Sequence, residues 1–414
     1  MMQHGQMKWL LCLLLFSGVL AAQPVGFELF DFAAQILKKE YVNPRQLDID
    51  NIINQYRNEL LKKCPTTTEC SYADGEGVVK TMLKSFDDAH LTFLSSRDYS
   101  QTTLGDQAIT GRYGFWVRTA DQALLVSDVY DGAPAAAAGM RAGDTVVSVN
   151  DATASPAILE KKLRELELSF AEANIKLMRD RKTYSIRIRP LLSSTLNPLL
   201  DDLGDGVARI RIYELGLLVQ DQLIHDLIRQ ANIQRAKSLI LDLRYNEGGT
   251  LLTSLKVAGA FFSNPSEISV SKDGSRFVFQ YNNGVIEWRD LNDTTNKGAF
   301  EGRLRNRAAF SGGVIVLTTA KTFSAGEHLA YLLQSAKRAI VIGEASAGGL
   351  DTGAEYKSFQ NLAKMYYGSS RYQNLEGQWL PPRVTPDVKV TDFASGQDDV
   401  LREAIKRLTT TSKP

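Results

Sequence analysis

Cysteine, histidine and net charge are all scarce in this chain. Of 414 residues, three are cysteine and four are histidine, and 48 basic side chains against 47 acidic ones leave a formal charge of +1. With no long basic or acidic block, that balance gives no footprint for nucleic acid and no electrostatic membrane anchor. Beyond the N-terminus no apolar run is long enough to span a bilayer. Internal repeats and low-complexity stretches are absent too, which excludes a solenoid or a disordered scaffold. The cysteines are Cys12, Cys64 and Cys70. No second Cys/His pair follows the last two, so the spacing excludes a zinc site of the usual kind. Neither a metal nor an organic cofactor is expected.

What is present begins with a leader. Lys8 precedes an apolar stretch from Trp9 to Phe16, and small residues follow through Ala21 and Ala22. This reads as a secretory signal peptide over residues 1–22; the alternative, an uncleaved anchor, is disfavoured because the stretch is short. Cys12 lies inside the apolar core, where it is not placed for lipidation. An exported chain then keeps Cys64 and Cys70, which flank the polar loop Pro65-Thr66-Thr67-Thr68-Glu69 and suit a local disulfide, with two free thiols as the alternative.

Length allows two or three domains. Residues 23–105 read as a helical N-terminal domain, with apolar residues at helical spacing from Phe27 to Lys39 and further helices over Ile52–Leu61 and Gly75–Ser85. This segment ends at Phe86-Asp87-Asp88-Ala89-His90-Leu91. Residues 106–190 change character. Strands are expected at Arg112–Val117, Leu124–Val129 and Val146–Val149, with a hairpin turning at Asp180-Arg181. Gly132-Ala133-Pro134-Ala135 and Gly139-Met140-Arg141-Ala142-Gly143-Asp144 frame a short small-residue helix. This block resembles a PDZ domain of the protease-associated kind. The resemblance implies that Tyr113-Gly114-Phe115 is a carboxylate-binding loop beside a strand edge that takes an extended peptide. The alternative is a module that only braces its neighbour.

From 191 to 408, strands and helices alternate. Apolar strands are expected at Gly206–Ile212, Ser238–Arg244, Val314–Leu317 and Ala339–Gly343, and helices at Val219–Asn232, Leu251–Phe262 and Ser324–Gln334. The run Lys321-Thr322-Phe323-Ser324-Ala325-Gly326-Glu327 joins one of these strands to a helix. A serine there is exposed and surrounded by backbone N–H groups, which suits a nucleophile whose attack creates an oxyanion. It equally suits an N-cap, with Glu327 completing a capping box.

Three stretches of this region resemble the tail-specific (C-terminal processing) and tricorn-type serine peptidases: Leu241-Asp242-Leu243-Arg244-Tyr245-Asn246-Glu247-Gly248-Gly249, Thr322-Phe323-Ser324-Ala325-Gly326-Glu327, and Ile342-Gly343-Glu344-Ala345-Ser346-Ala347-Gly348-Gly349. The closing Val384-Thr385-Pro386-Asp387-Val388 fits as well. The resemblance implies a multidomain α/β chain with a helical N-terminal segment, a PDZ-like β-rich module and a crotonase/ClpP-like catalytic domain. It implies cleavage of peptide bonds in protein or peptide substrates, without metal or nucleotide, in an exported compartment such as the bacterial periplasm. Ser324 becomes the nucleophile, and the N–H groups of Gly248, Gly249 and Ala325 become the oxyanion donors.

The base follows from a second absence. Processing proteases of this family carry a lysine 25 residues after the serine, and here that position holds Gly349. The tricorn-type branch uses a histidine from an N-terminal segment, and Asp87-Asp88-Ala89-His90-Leu91 is similar to that motif. A neutral imidazole is a competent base at neutral pH, whereas a lysine needs strong desolvation. His90 is therefore the expected base, His225 reads as structural, and His328, one turn after Ser324, is a rival. Glu376 is the nearest match to the late glutamate that orients the histidine in that branch, with Glu355 and Glu327 competing. A Ser–Lys enzyme recruiting Lys364, and a non-catalytic peptide or ligand binder on the same fold, are the other readings.

Overall fold

The computed structural model describes residues 26–65, 70–95, 110–120, 122–193, 196–216, 219–293, 295, 297–300, 302–360 and 362–410. The signal peptide read at residues 1–22 lies outside them. Helices α1 (Gly26–Lys39), α2 (Ile49–Lys63) and α3 (Tyr72–Lys84) follow from the apolar stripes noted above. Asp48 and Ser71 start the second and third by accepting the N–H groups of Asn51 and Asp74. Cys64 and Cys70 are bonded, with Cα atoms 4.9 Å apart, and tie the end of α2 to the start of α3. Strand β1 (Thr92–Ser95) follows. The three helices do not bury their stripes only on one another. Leu29, Leu37, Met82 and Leu83 share a core with Phe359, Ala363, Met365 and Tyr367, from far along the chain.

The middle block begins with β2 (Thr110–Arg112), which pairs antiparallel with β8 (Leu191–Ser193) to form a neck. Between them, β3 (Phe115–Ala120), β4 (Ala123–Val129), β5 (Thr145–Val149), β6 (Ala173–Arg179) and β7 (Lys182–Ile188) form an antiparallel sheet in that order. Helices α4 (Pro134–Ala137) and α5 (Pro156–Leu168) accompany it. Val126, Val146, Ile175, Leu177, Leu159 and Leu163 fill its own core.

The last region holds β9 (Leu199–Asp202), β10 (Val207–Arg211), α6 (Gln220–Ile233), β11 (Ser238–Asp242) and α7 (Leu251–Ala258). Then come β12 (Ser266–Ser271), β13 (Arg276–Asn282), β14 (Val285–Asp290) and β15 (Lys297–Phe300). They are followed by β16 (Gly313–Thr318), α8 (Ala325–Ser335), β17 (Ile340–Gly343), β18 (Thr352–Phe359), β19 (Ala363–Gln373), β20 (Val388–Lys389) and α9 (Asp399–Thr410).

One sheet runs β20-β17-β16-β11-β10-β9, parallel except for β9 at its edge. Its central strands are apolar on both faces because helices cover both. Residues of α6, α7 and α8 cover one face, and Val400, Ala404 and Leu408 of α9 cover the other.

A second sheet, β1-β19-β12-β13-β14-β15 with β18 beside β19, is antiparallel wherever its strands pair. Simple alternation of strands and helices did not predict it. Its strands are half-buried and interleave polar residues, so no continuous apolar run marks them. The strongest local signal was Asn283-Gly284 between β13 and β14, whose φ angles of 52° and 94° make the tight hairpin turn those residues favour. Strand β1 joins this sheet through Thr92↔Tyr366 and Phe93↔Met365, and that pairing carries the segment ending at His90 into the last region. No helix among the described residues is long and apolar enough to cross a membrane.

Candidate active site

Parallel strand β16 ends at Thr318, and the chain reaches Ser324 at the N-terminus of α8. Ser324 has φ 50° and ψ −117°, a backbone conformation that L residues rarely adopt. Strain of this kind persists only where surrounding contacts enforce it. The contacts here centre on Glu327, a buried carboxylate in the first turn of the helix. Its Oε2 accepts the N–H of Ser324 at 2.8 Å and of Gly349 at 2.7 Å; its Oε1 accepts the N–H of Gly348 at 3.0 Å and the hydroxyl of Ser346 at 2.5 Å. Burial pushes the Glu327 carboxyl up, and these four donors pull against it. Glu327 is thus the brace between the serine turn and the loop after β17, rather than a free orienting group.

Gly248 and Gly249 lie beside the serine. A Cβ on Gly248 would sit 3.0 Å from the Ser324 Cβ, and one on Gly249 would sit 2.0 Å from the Leu215 carbonyl oxygen, so only glycine fits the second position. The N–H of Gly248 donates to Asn246 Oδ1 at 3.0 Å. That bond turns it to its own loop and qualifies its expected part as an oxyanion donor. Among the described residues, the N–H groups of Gly249 and Ala325 donate no hydrogen bond.

His90 arrives from the other end of the chain. Asp88 sets the turn: its Oδ1 accepts the His90 N–H at 2.9 Å and its Oδ2 accepts the Tyr41 hydroxyl at 2.9 Å. His90 is 6% exposed, and its ring packs 4.8 Å from the ring of Phe323, the residue before the serine. Its Nδ1 lies 2.8 Å from Thr352 Oγ1, at the start of β18. Burial lowers its pKa to about 4, with the Asp88 carboxylate opposing and His328 adding to the fall.

The lysine position explains itself sterically. A Cβ on Gly349 would stand 2.6 Å from Phe323 Cε2, 2.9 Å from His90 Cε1 and 3.1 Å from Glu327 Oε2. The volume that a side chain at 349 needs is taken up by the imidazole and its aromatic neighbour.

The remaining expected residues fall elsewhere. Glu376 is exposed in the turn after β19, and the histidine partner is Thr352 instead, so the expected orienter does not meet His90. Glu355 is exposed on β18. His225 is buried between the Lys256 carbonyl and the Ala308 N–H, as a structural histidine should be. His328 is buried against Glu267, Nδ1 to Oε2 at 2.6 Å, with its ring edge-on to Tyr372, so it faces β12 and β19. Lys364 holds its ammonium 4.4 Å from the centre of the Tyr356 ring. Tyr113-Gly114-Phe115 line a cavity of about 140 Å³ between β3 and α5, together with Glu247 and Lys321 from the serine-bearing region. Thr352, Asp88 and Tyr41 were missed by residue-type reasoning. A threonine at a strand start carries no motif, and Asp88 was visible only as part of the histidine segment.

Residues 206–390 match the model of peptidase family S41, and residues 125–155 match that of a PDZ domain. The region that bears the serine turn is thus similar to peptidase family S41. Around it, 336 residues are 24% identical to the carboxy-terminal processing protease CtpA of Bacillus subtilis, covering 77% of this chain and 65% of that protein. The chain spans just under two thirds of the length of the first curated relatives it matches. The photosystem II D1 C-terminal processing protease superposes with a TM-score of 0.53 at 20% identity, over 88% of this chain and 93% of that one. A Bacteroides fragilis structure presented as an S41 protease reaches 0.59 at 16% identity, over 92% and 98%. These identities speak for the fold alone. The expected fold class, a multidomain α/β chain with a helical N-terminal segment, a PDZ-like β-rich module and an α/β domain of the catalytic type, is the observed one.

Proposed function

We propose that this protein is an exported serine endopeptidase that cleaves peptide bonds through a Ser324–His90 acyl-enzyme mechanism, with the PDZ module holding substrate ends. The observation that carries the reading is the crowding at Gly349, where the imidazole fills the space that a lysine side chain would need. An S41 domain without that lysine still requires a base, and His90 is the imidazole packed against the residue next to the serine.

In this mechanism Nδ1–H of His90 donates to Thr352 Oγ1, which leaves the Nε2 lone pair for the Ser324 proton. Thr352 takes the orienting part first expected of Glu376. The serine oxygen attacks the scissile carbonyl, and the N–H of Ala325 with that of Gly249 stabilises the oxyanion. His90 then passes its proton to the leaving amine, and water releases the acyl group. The cell-envelope location, with the bacterial periplasm as the first choice, rests on the leader sequence and on the similarity to processing proteases.

Fluorophosphonate labelling tests this directly. The wild-type protein should label, Ser324→Ala should lose all labelling with an unchanged fold, and His90→Ala should label at least 10²-fold more slowly, the span of general-base catalysis. Equal labelling of Ser324→Ala would remove the serine from the mechanism. Full reactivity of His90→Ala would favour a lysine base.

A further inference from the structure

The PDZ groove already holds a carboxylate of its own. Its floor is β3 and its wall is α5, whose residues Glu160, Leu163, Arg164 and Glu167 recur at helical spacing along the cavity. At the closed end stands the turn Tyr113-Gly114-Phe115. Gly114 is at φ 80°, and a Cβ there would come 2.1 Å from the Ala133 side chain, so the turn is fixed against α4. In such a turn the backbone N–H groups are the natural anchor for a terminal carboxylate. Here the Tyr113 N–H donates to Glu167 Oε1 at 2.6 Å. Burial pushes the Glu167 carboxyl up, and the Tyr113 N–H and the Arg112 charge oppose that rise.

A second observation lies beside it. The Arg112 guanidinium, one residue before the turn, bonds Glu214 Oε1 at 2.7 Å and Glu247 Oε2 at 3.3 Å, while its buried Nε has no partner. Glu247 directly precedes Gly248 in the oxyanion loop. One cation with spare donor capacity thus sits between the carboxylate turn and the loop beside Ser324.

We propose that Glu167 is a specificity-determining residue, an internal competitor that occupies the carboxylate turn until the free C-terminal carboxylate of a peptide displaces it. The inference rests on the reading that the groove takes substrate ends, and it deepens that reading. A ligand carboxylate would take over the Tyr113 N–H and meet Arg112, whereas an amidated or internal segment brings no charge to exchange. Weak ends therefore leave Glu167 in place, and the groove selects for peptides whose remaining contacts with the apolar wall at Phe115 and Leu163 are good. Apparent affinity falls in proportion to the fraction of molecules in which the turn is free.

The test uses the full chain in a Ser324→Ala background, so that no probe is cleaved. Fluorescence anisotropy measures a labelled peptide ending in Ala-Val, once with a free carboxylate and once as the C-terminal amide. Adding Glu167→Ala should tighten binding of the free acid tenfold or more and leave the amide unchanged. Glu167→Gln, which keeps the shape but not the charge, should fall between. Glu165→Gln removes the same charge from the exposed face of the same helix and should change neither. Unchanged or weaker free-acid binding in both Glu167 variants overturns the proposal, as does an equal gain for the amide. If no variant prefers the acid over the amide, the groove does not take peptide ends, and that reading fails with it. The labelling of Ser324 stands or falls separately.

Discussion

At the residue scale, the site is decided by one missing side chain. Gly349 leaves room, and His90 occupies it. Adding even a methyl group there should therefore push the imidazole, whose Nδ1 is held by Thr352. Gly349→Ala is expected to lower kcat/KM on an unstructured protein substrate by roughly 10²-fold, the cost of about an ångström of misplacement, and to cost about 1–3 kcal/mol of stability through overpacking. Full activity would mean that the ring has slack and is not the positioned base. The pH profile gives a separate check. Burial lowers the His90 pKa to about 4, so the neutral base persists well below the pH at which an exposed histidine protonates. In the free enzyme, kcat/KM should hold its plateau through pH ~6.5 and fall only as pH nears the lowered value. An acid limb centred at the ordinary histidine value would count against His90. The same shift has a stability sign. The unfolded chain takes up a proton that the folded chain refuses, so this contribution is full above pH ~6.5 and is lost as pH falls from there toward the folded pKa.

At the element scale, α8 and β1 divide the labour. The start of α8 strains Ser324 into place and braces it through Glu327, and β1 pairs with β19 and so delivers the histidine segment. The helices ahead of β1 matter because they hold that segment down, through Tyr41 on Asp88. The Cys64–Cys70 bridge closes a short loop within them. Its removal by double substitution to alanine should cost only about 2 kcal/mol, given a closed loop of that size. Thermal melts followed by circular dichroism would read this as a modest fall in Tm. Complete unfolding at room temperature would show that the bridge, rather than the apolar faces, carries the segment.

At the scale of the whole molecule, separate stretches of chain are pinned by buried charge and stacked rings. Arg244, in the Leu-Arg part of the first family-like motif, is fully buried among Asp242, Asp392 and Asp398. Its role is structural: it fastens β11 to the C-terminal segment that leads into α9. Arg244→Ala would leave buried carboxylates without their cation, and a loss of about 3–5 kcal/mol is expected, measurable in urea unfolding. A change under 1 kcal/mol would show that water or another cation can reach the site. The PDZ module is docked in a similar way, through Trp116 stacked 4.6 Å from Tyr213 and 5.4 Å from Tyr245, and through Arg118 on Glu344 and Asp392. The groove and the serine turn are consequently neighbours, with Lys321 of the serine loop donating to the Val117 carbonyl of β3.

The sequence alone determined what local pattern can determine. Apolar runs bounded by turn residues marked the parallel strands, helical spacing marked α1 and α8, and the glycine and serine motifs marked the turns at Gly248-Gly249 and Ser324. It also showed that no lysine stands at 349. The antiparallel second sheet was less legible, because half-buried strands with mixed residues differ little from loops until their partners are known. What only the tertiary structure decided is which groups meet. Thr352 rather than Glu376 reaches the His90 ring, Asn246 takes the Gly248 N–H, and Glu167 takes the Tyr113 N–H. Each of those contacts joins side chains whose adjacency depends on strand register and helix packing, and a hydrogen bond across such a junction leaves no periodic mark on the chain.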